Sequence, residues 1–187
     1  MNQLLLDFPT MFQTKRLQVR KPFPGDGEEV FEAILASRND LQPWLSFGHI
    51  METEQDAEAD VRKFHAKFLL REELRFHLYK KETGTFLGML TLHPVNWNIP
   101  KFEISFWLHS AHYKNGYMRE ALEGAVNFAF EKLQAKRLEI RCDSRNESAR
   151  RLAERLGFTL EGILHNDRLA PNSAEMRDTS IYAKTEK

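Results

Sequence analysis

A short polar loop joins a strand-like run to the start of an amphipathic helix. The loop spans residues 113–117, and apolar residues at helical spacing begin at Met118. The start of a helix carries unpaired N–H groups and the positive end of the helix dipole, so it favours an anion such as a pyrophosphate. Gly116 would let the backbone approach that anion closely. The segment therefore suits a phosphate-binding loop, although one glycine before a helix is also common in purely structural turns.

The elements that would position this loop follow from hydrophobic periodicity. Alternation of apolar and polar residues predicts strands, and apolar residues at helical spacing predict helices. Asp26 can cap the first predicted helix, and Thr53 with Asp56 forms a capping-box pattern before the second. The predicted order is strand 14–20, helix 26–37, helix 53–69, strands 76–79, 86–92 and 102–108, helix 118–133, strand 138–142, helix 147–156, a strand from 158, loop 165–174 and strand 179–183.

This order of elements indicates a mixed α/β fold. Three short strands in succession predict an antiparallel meander, and the alternating elements that follow predict a βαβα unit. The phosphate-binding loop then lies where the meander meets the βαβα unit. We expect one domain over residues 1–187, with residues 1–13 as an N-terminal extension.

Composition argues against several classes of function. Lys plus Arg and Asp plus Glu both number 27, so the net charge is zero and predicts no nucleic-acid partner. Cys142 is the only cysteine, which excludes an internal disulfide and agrees with a reducing compartment. No run approaches the roughly 18–20 apolar residues of a membrane span, and the first residues lack the pattern of a secretory signal. We therefore expect a cytoplasmic protein without a membrane partner.

The ordered series of motifs resembles the GNAT superfamily and, within it, the Rim-type branch of ribosomal-protein N-acetyltransferases. Residues 113–118 correspond to the superfamily's coenzyme A pyrophosphate loop, Gln/Arg-x-x-Gly-x-Gly/Ala, with Tyr113 and Met118 departing from its first and last positions. Residues 146–158 match the second signature of the superfamily, and the resemblance covers about residues 14–184. Further branch-like features are Asn39, Leu41, Trp44, Leu45, residues 103–107, Gly162, Arg177 and Asp178.

The resemblance implies a GNAT fold whose fourth and fifth strands splay apart, with the pantetheine arm of acetyl-coenzyme A between them. The main chain of residues 107–109 would bond to the pantetheine, and Asn146 would reach the pantetheine or the path of the amine. Residues 113–118 would bind the pyrophosphate, with Lys114 or Arg119 neutralising a phosphate. The residues assigned to coenzyme A on this basis are Trp107, Leu108, His109, Tyr113, Lys114, Asn115, Gly116, Tyr117, Met118, Arg119 and Asn146.

Direct transfer of acetyl to a primary amine requires that the amine be unprotonated. An α-amine with a pKa of about 8 is about a tenth neutral at pH 7, whereas a lysine amine at about 10.4 is far less so. Glu103, on the last meander strand, is the predicted general base, acting directly or through a water. The alternative for Glu103 is an exposed carboxylate without a catalytic role. His77 and His93, on or beside neighbouring strands, are secondary candidates and more typical of structural histidines.

Many GNAT enzymes carry a tyrosine on the helix after the asparagine, where it protonates the departing thiolate. That position is Ala153 in this chain, so another hydroxyl, a water or solvation of the coenzyme must serve. Ser148 and Tyr113 are the candidate hydroxyls, and Ser148 joins Glu103 in the predicted catalytic set. A thiol with a pKa of about 8.5 departs tolerably without full protonation, so this absence does not exclude catalysis.

Three residues are assigned to the acceptor side. Trp44 and Phe47 lie between the two early helices, where the GNAT fold closes over the acceptor. Cys142 occupies an inward position of its predicted strand and is interpreted as a small wall residue rather than as a nucleophile. His109 and His112 have no Cys or acidic partner at a metal-binding spacing, so no metal is expected.

Three functions are compatible with these residues. The first is acetylation of a protein N-terminal α-amine by acetyl-coenzyme A, with a ribosomal protein as the partner that the resemblance implies. The second is acetylation of a small amine such as a polyamine, amino sugar or antibiotic, which Glu52, Glu54 or Asp56 in the acceptor cleft would favour. The third is a coenzyme A-binding sensor without catalysis. The sequence leaves the oligomeric state open, and the resemblance favours a homodimer.

Overall fold

Eight strands in one mixed sheet and four α-helices make up the regular structure of residues 3–45, 51–171 and 173–186, which the computed structural model describes. For residues 94–96 it describes the backbone alone. The strands are β1 (Met11–Gln13), β2 (Leu17–Arg20), β3 (Leu74–Lys80), β4 (Phe86–Asn96), β5 (Lys101–Leu108), β6 (Arg137–Asp143), β7 (Thr159–Leu169) and β8 (Met176–Thr185). The helices are α1 (Gly27–Leu41), α2 (Glu54–Leu69), α3 (Tyr117–Lys132) and α4 (Glu147–Arg155).

The sheet has the strand order β1-β2-β3-β4-β5-β6-β8-β7. Every neighbouring pair is antiparallel except β5 and β6, which α3 connects in parallel. A parallel pair needs such a crossover, because its two strands run in the same direction. The predicted α/β fold, a meander followed by a βαβα unit, is confirmed.

The two parallel strands diverge along most of their length. Their pairing comprises Lys101 with Arg137, Phe102 with Leu138 and Glu103 with Glu139, at the start of each strand. Beyond these pairs β5 continues along β4 and β6 continues along β8. The C-terminal halves of β5 and β6, both within the described residues, therefore leave a gap in the middle of the sheet, as the splayed-strand prediction requires. We call this opening the sheet gap.

Different helices cover the two faces of the sheet, because strand side chains alternate in direction. Leu90 and Ile104 belong to the core cluster that contains the apolar residues of α3. Met89 and Trp107, on the same two strands, belong to the cluster that contains α1. The sheet gap is thus approached by the start of α3 from one face and by α1 and α2 from the other.

Several elements extend beyond their predicted bounds, and the largest differences are in β7 and β1. β7 extends to Leu169, so residues 165–169 of the predicted loop 165–174 are strand, because Arg168 and Leu169 pair with β8. The sequence does not predict β1, since three residues are too short to display a period. β1 nevertheless pairs with β2, and Phe12 stacks on Phe128 of α3 with ring centroids 5.3 Å apart. The segment expected as an N-terminal extension therefore contributes to the sheet and core.

Asp26 precedes α1 as predicted, but its side chain does not cap the helix. One carboxylate oxygen accepts hydrogen bonds from Arg20 at 2.8 Å and from the Phe23 N–H at 2.9 Å, and the other accepts from Arg20 at 2.8 Å. The Nδ1 atom of fully buried His77 lies 2.9 Å from the same carboxylate. The carboxylate therefore connects the start of α1 to β2 and β3 instead of capping the helix.

Acidification should destabilise the fold through this buried cluster. Burial lowers the pKa of His77, although the Asp26 carboxylate acts in the opposite direction. Burial alone would raise the pKa of Asp26, but hydrogen bonds from His77 and Arg20 hold it well below its usual value. The unfolded chain therefore binds protons that the folded chain does not. The free energy of unfolding should fall through His77 as pH decreases below about 6.5, and through Asp26 only below about pH 4, by up to about 1.4 kcal/mol per pH unit for each group.

Urea unfolding at a series of pH values measures this dependence. His77→Gln removes the imidazole and should flatten the curve between about pH 6.5 and pH 5. His165→Gln, at a histidine whose side chain is 77% exposed, should leave the slope unchanged. Equal slopes in the wild type and His77→Gln would contradict the assignment.

Candidate active site

The predicted phosphate-binding loop lies at the end of β5, where the sheet gap opens. α3 begins at Tyr117, and Gly116 is its N-cap with φ 75° and ψ 7°, in the left-handed region. Lys114 also has positive φ, at 63°. A side chain at the N-cap would be strained in this conformation, whereas glycine adopts it readily. The residue that directly precedes this 16-residue helix therefore has no side chain to cover the unpaired N–H groups of the first turn.

Asn115 supports the loop from within. Its side-chain amide donates to the carbonyl oxygens of His112 at 3.3 Å and Tyr113 at 3.2 Å. The amide therefore closes the turn between β5 and α3. The contribution of Asn115 to ligand binding would come from its main chain.

Arg16, which the sequence analysis did not single out, packs against this loop. Its Nη1 donates to the Asn115 carbonyl oxygen at 3.0 Å, and its guanidinium lies 4.5 Å from the centre of the Tyr117 ring. Its Nε donates to Glu120, in the first turn of α3, at 2.6 Å. A guanidinium is thus present at the loop although position 113 carries tyrosine. No spacing rule reveals it, since about a hundred residues separate Arg16 from the loop.

The end of β5 is held from both sides. Trp107 and Leu108 are buried, and the His109 N–H donates to the Leu87 carbonyl oxygen of β4 at 2.7 Å. The next residue, Ser110, donates its N–H to the Oγ of Ser37 in α1 at 2.9 Å. The main chain expected to contact pantetheine is therefore a fixed edge beside the sheet gap.

Asn146 and Ser148 lie at the start of α4. Asn146 is the N-cap, and its Oδ1 accepts a hydrogen bond from the Ala149 N–H at 3.1 Å. This capping bond uses the acceptor oxygen and leaves the two N–H donors of the amide for another partner. Ser148 is exposed on the first turn. Ala153 is fully buried in the core, so the usual tyrosine position of this fold faces the protein interior.

Glu103 lies where the sheet gap begins. Glu103 belongs to the last residue pair of β5 with β6, where it lies opposite Glu139. On its other side it lies opposite His93 of β4. Its carboxylate lies 3.8 Å from the Nε of Arg141, and its side chain is 19% exposed. Glu103 is therefore partly accessible at the point where the strands part.

Glu139, by contrast, is buried and fully paired. It lies 2.7 Å from Lys101 and 2.7 Å from Arg137. Burial alone would raise the pKa of Glu139, but these two cations lower it to about 2. Glu139 is thus a very weak base, and its position between two cations is structural. The assignment of Glu103 as the general base stays a prediction.

A cavity of about 140 Å³ opens on the face of the sheet that carries α1 and α2. Ser105, Phe106 and Trp107 all line it. These three residues lie on the part of β5 beyond its pairing with β6. The cavity is therefore beside the sheet gap. The other described residues that line it are Ile34, Leu45, Met51, Asp60, Arg75, Met89 and Thr91.

Trp44 stands beside this cavity region on the segment after α1. Its indole is 37% exposed and lies 6.0 Å from the guanidinium of Arg177 in β8. Arg177 also donates to the Pro43 carbonyl oxygen and to Asp143, each at 2.8 Å. This bridge connects the segment after α1 to the ends of β6 and β8. Phe47, the second predicted acceptor contact, lies outside the described residues.

Cys142 lies on β6, packed against the core cluster that contains α3 and α4. Burial raises the pKa of its thiol to about 11. The thiol is therefore protonated at neutral pH, whereas covalent catalysis needs a thiolate. We expect Cys142→Ala to keep kcat within about threefold of the wild type. Complete loss of thioester turnover, with coenzyme A still bound, would identify the thiol as a reactant.

Among the acidic residues near the start of α2, Asp56 stabilises the end of the helix. Asp56 accepts hydrogen bonds from the N–H of Thr53 at 2.9 Å and from its Oγ1 at 2.8 Å, which confirms the predicted capping box. Glu52 and Glu54 are exposed. Within the described residues, three or more His, Cys, Asp or Glu side chains nowhere form a group that could hold a metal ion. None of the helices in that part of the chain is long and apolar enough to cross a membrane.

The chain belongs to the GNAT family of acetyltransferases, since residues 16–159 match the model of the acetyltransferase (GNAT) domain. It is an acetyl-coenzyme A-dependent acyltransferase. Among curated relatives, the uncharacterized N-acetyltransferase YoaA of Bacillus subtilis (strain 168) is 23% identical over 176 residues, which cover 94% of this chain and 96% of YoaA. The ribosomal-protein-serine acetyltransferase of Escherichia coli (strain K12) is 22% identical over 158 residues, 83% of this chain and 84% of the relative.

Solved structures extend this likeness to the fold. RimL, a ribosomal α-N-protein acetyltransferase in complex with coenzyme A, has a TM-score of 0.87 at 16% identity, covering 94% of this chain and 97% of RimL. At this identity the match shows that the fold is shared. In that RimL structure a cysteine is joined to coenzyme A by a disulfide.

Proposed function

We propose that this enzyme transfers acetyl from acetyl-coenzyme A to the N-terminal α-amine of a protein, with a ribosomal protein as the class of acceptor. The observation that carries the proposal is the placement of the cavity, which lies beside the sheet gap on the face opposite α3. A thioester in the gap would therefore meet an amine that enters from the α1–α2 face. The name of the Escherichia coli relative supports a ribosomal-protein acceptor.

The coenzyme would bind on the α3 side of the gap. Its pyrophosphate would lie on the N–H groups at the start of α3, where Gly116 adds no side chain and Arg16 and Lys114 add positive charge. The pantetheine would run along the main chain of residues 107–109, with the Asn146 amide donating from α4. When bound, the coenzyme supplies a thioester whose carbonyl carbon is open to attack.

Glu103 on β5 and Ser148 on α4 would transfer the protons of the reaction. Glu103, partly exposed and near Arg141, would accept a proton from the amine directly or through a water. We assign Ser148 as the hydroxyl that would donate a proton to the departing thiolate. An α-amine depends less on a general base than a lysine amine does, because about a tenth of it is already neutral at pH 7. A single carboxylate is therefore adequate for an N-terminal acceptor.

Acetylation of matched acceptors tests this function. Peptides that begin with a small residue would be incubated with acetyl-coenzyme A, alongside the same peptides with a blocked N-terminus and one internal lysine, and alongside spermidine and an amino sugar. Thiol release and product mass would be followed. We expect product only with a free N-terminus.

Each other result identifies another function. Faster turnover of spermidine or the amino sugar than of every peptide would assign a small-amine acetyltransferase. Tight coenzyme binding without turnover of any acceptor would assign a sensor. Either result would contradict the proposal.

A further inference from the structure

A hydrogen-bonded pair on the acceptor face of the sheet has no role in the scheme above. The Nε2 of His93 on β4 and the Oγ of Ser105 on β5 are 2.9 Å apart. Ser105 lines the cavity beside the sheet gap. We propose that Ser105 and His93 form a proton relay that takes the proton from the acceptor's ammonium group before the amine attacks. This inference rests on the proposed function and assigns its first proton transfer to the relay, with Glu103 as the neighbour of His93 and not as the first proton acceptor.

The strand register places the pair beside the expected reaction site. Thr91 lies opposite Ser105, and His93 lies opposite Glu103. Residues two apart on a strand share a face, so these four side chains form one block on the face of α1 and α2. Ser105 is the member nearest to Trp107, whose main chain would contact pantetheine. An amine in the cavity would therefore meet the Ser105 hydroxyl at the open edge of β5.

Glu103 is less directly placed for this first contact. It belongs to the last β5–β6 pair, whereas Ser105 lies on the part of β5 beyond that pairing. Ser105 lines the cavity, and Glu103 is not among the described residues that do so. Glu103 is instead the cross-strand neighbour of His93. Its negative charge would stabilise the imidazolium that the relay creates.

The charged groups around His93 come from three strands. Glu103 on β5 and Glu139 on β6 lie in its row of the sheet. Arg75 on β3 lies opposite Thr91 in the next row, and its charge is balanced by an ion pair with Asp60 of α2. Arg141 on β6 pairs with the two glutamates.

The relay conserves atoms and charge. One ammonium proton passes to the Oγ of Ser105 while the Oγ–H proton passes to the Nε2 of His93, so serine ends as it began and the imidazole carries the proton. The neutral amine then attacks the thioester carbonyl carbon, a C–N bond forms and the C–S bond breaks. The departing thiolate takes up a second amine proton, and His93 later releases the first to water. Ser105 is a catalytic residue in this scheme, and His93 is a positioning residue that acts through it.

The test compares two acceptors that differ in basicity. One is a peptide with an ordinary α-amine; the other is the same peptide with an aminooxy group in its place, which is unprotonated at neutral pH and needs no relay. His93→Gln and Ser105→Ala should lower kcat about 100-fold for the amine but less than about threefold for the aminooxy peptide, with the KM for acetyl-coenzyme A unchanged. Ser105→Thr keeps the hydroxyl and should stay within about fivefold of the wild type on both acceptors.

His165→Gln, at an exposed histidine on β7, is the matched control and should behave as the wild type. Equal losses on both acceptors in His93→Gln would show a structural role and overturn the relay. Full activity of Ser105→Ala on the amine peptide would also overturn it. If the wild type acetylates the peptides, the proposed function stands whatever the variants do; if it acetylates neither, both proposals fail.

Discussion

Replacing Gly116 by alanine should weaken the binding of acetyl-coenzyme A at least about tenfold, equivalent to about 1.4 kcal/mol, while the protein stays folded. Gly116 has φ 75°, where alanine is strained. The nearest protein atom to an added Cβ would be Nη2 of Arg16, at an ordinary contact distance of 3.6 Å. The methyl group therefore fits the protein itself, and the binding defect would come from the strained loop and from the space in front of the helix start. Calorimetry with coenzyme A measures the loss.

A variant at a second glycine separates the effect of backbone strain in general from an effect on the coenzyme site. Gly84, in the turn between β3 and β4, has φ 70° and no atom within 4 Å of an added Cβ. Gly84→Ala therefore imposes the same backbone strain away from the sheet gap. It should lower the free energy of unfolding by about 1 kcal/mol and leave the Kd for coenzyme A unchanged. Equal Kd values for Gly116→Ala and the wild type would show that the pyrophosphate does not bind at this loop.

Gly88→Ala should cause the largest loss of stability, about 3 kcal/mol or more. Gly88 on β4 has φ 147°, and an added Cβ would lie 2.3 Å from the Trp107 carbonyl oxygen and 2.9 Å from the Leu108 Cα. Both are backbone atoms, so no side chain can move aside, and β4 and β5 would have to separate. This displacement would move the edge of β5 that is expected to hold pantetheine. Coenzyme A binding should therefore weaken even where the variant remains folded.

Denaturant unfolding and calorimetry would measure both effects. Gly162→Ala on β7 is the matched control, because an added Cβ there meets no atom within 4 Å. It should change the free energy of unfolding by less than about 0.5 kcal/mol. If Gly88→Ala stays within about 1 kcal/mol of the wild type, β4 and β5 are free to adjust, and the edge of β5 is less rigid than we infer.

The properties that the sequence by itself determined are local. Periods of two and 3.6 residues predicted the strands and helices, because each side chain's direction depends on its own backbone conformation. The capping box of Thr53 and Asp56 was predictable for the same reason, since its partners are three residues apart. The loop around Gly116 was recognisable from a glycine placed before a helix. The family resemblance added the meaning of that loop and the splayed strands.

Other features depended on tertiary contacts. Asp26 lies before a helix as a cap would, yet Arg20 and His77 bind its carboxylate more extensively than the helix end could. β7 extends into a polar segment because β8 supplies its hydrogen-bond partners. Local propensity could not reveal either result, since the competing partners come from other strands.

The details of the candidate site were decided in the same way. Arg16 reaches the loop at Asn115 only because β2 and α3 pack together, and His93 meets Ser105 only through the register of β4 with β5. Register is set by the burial of a whole sheet face, and a shift of one residue would turn every side chain of a strand to the other side. The sequence therefore determined which residues could do chemistry, and the tertiary structure decided which of them meet, because those meetings depend on packing between distant segments.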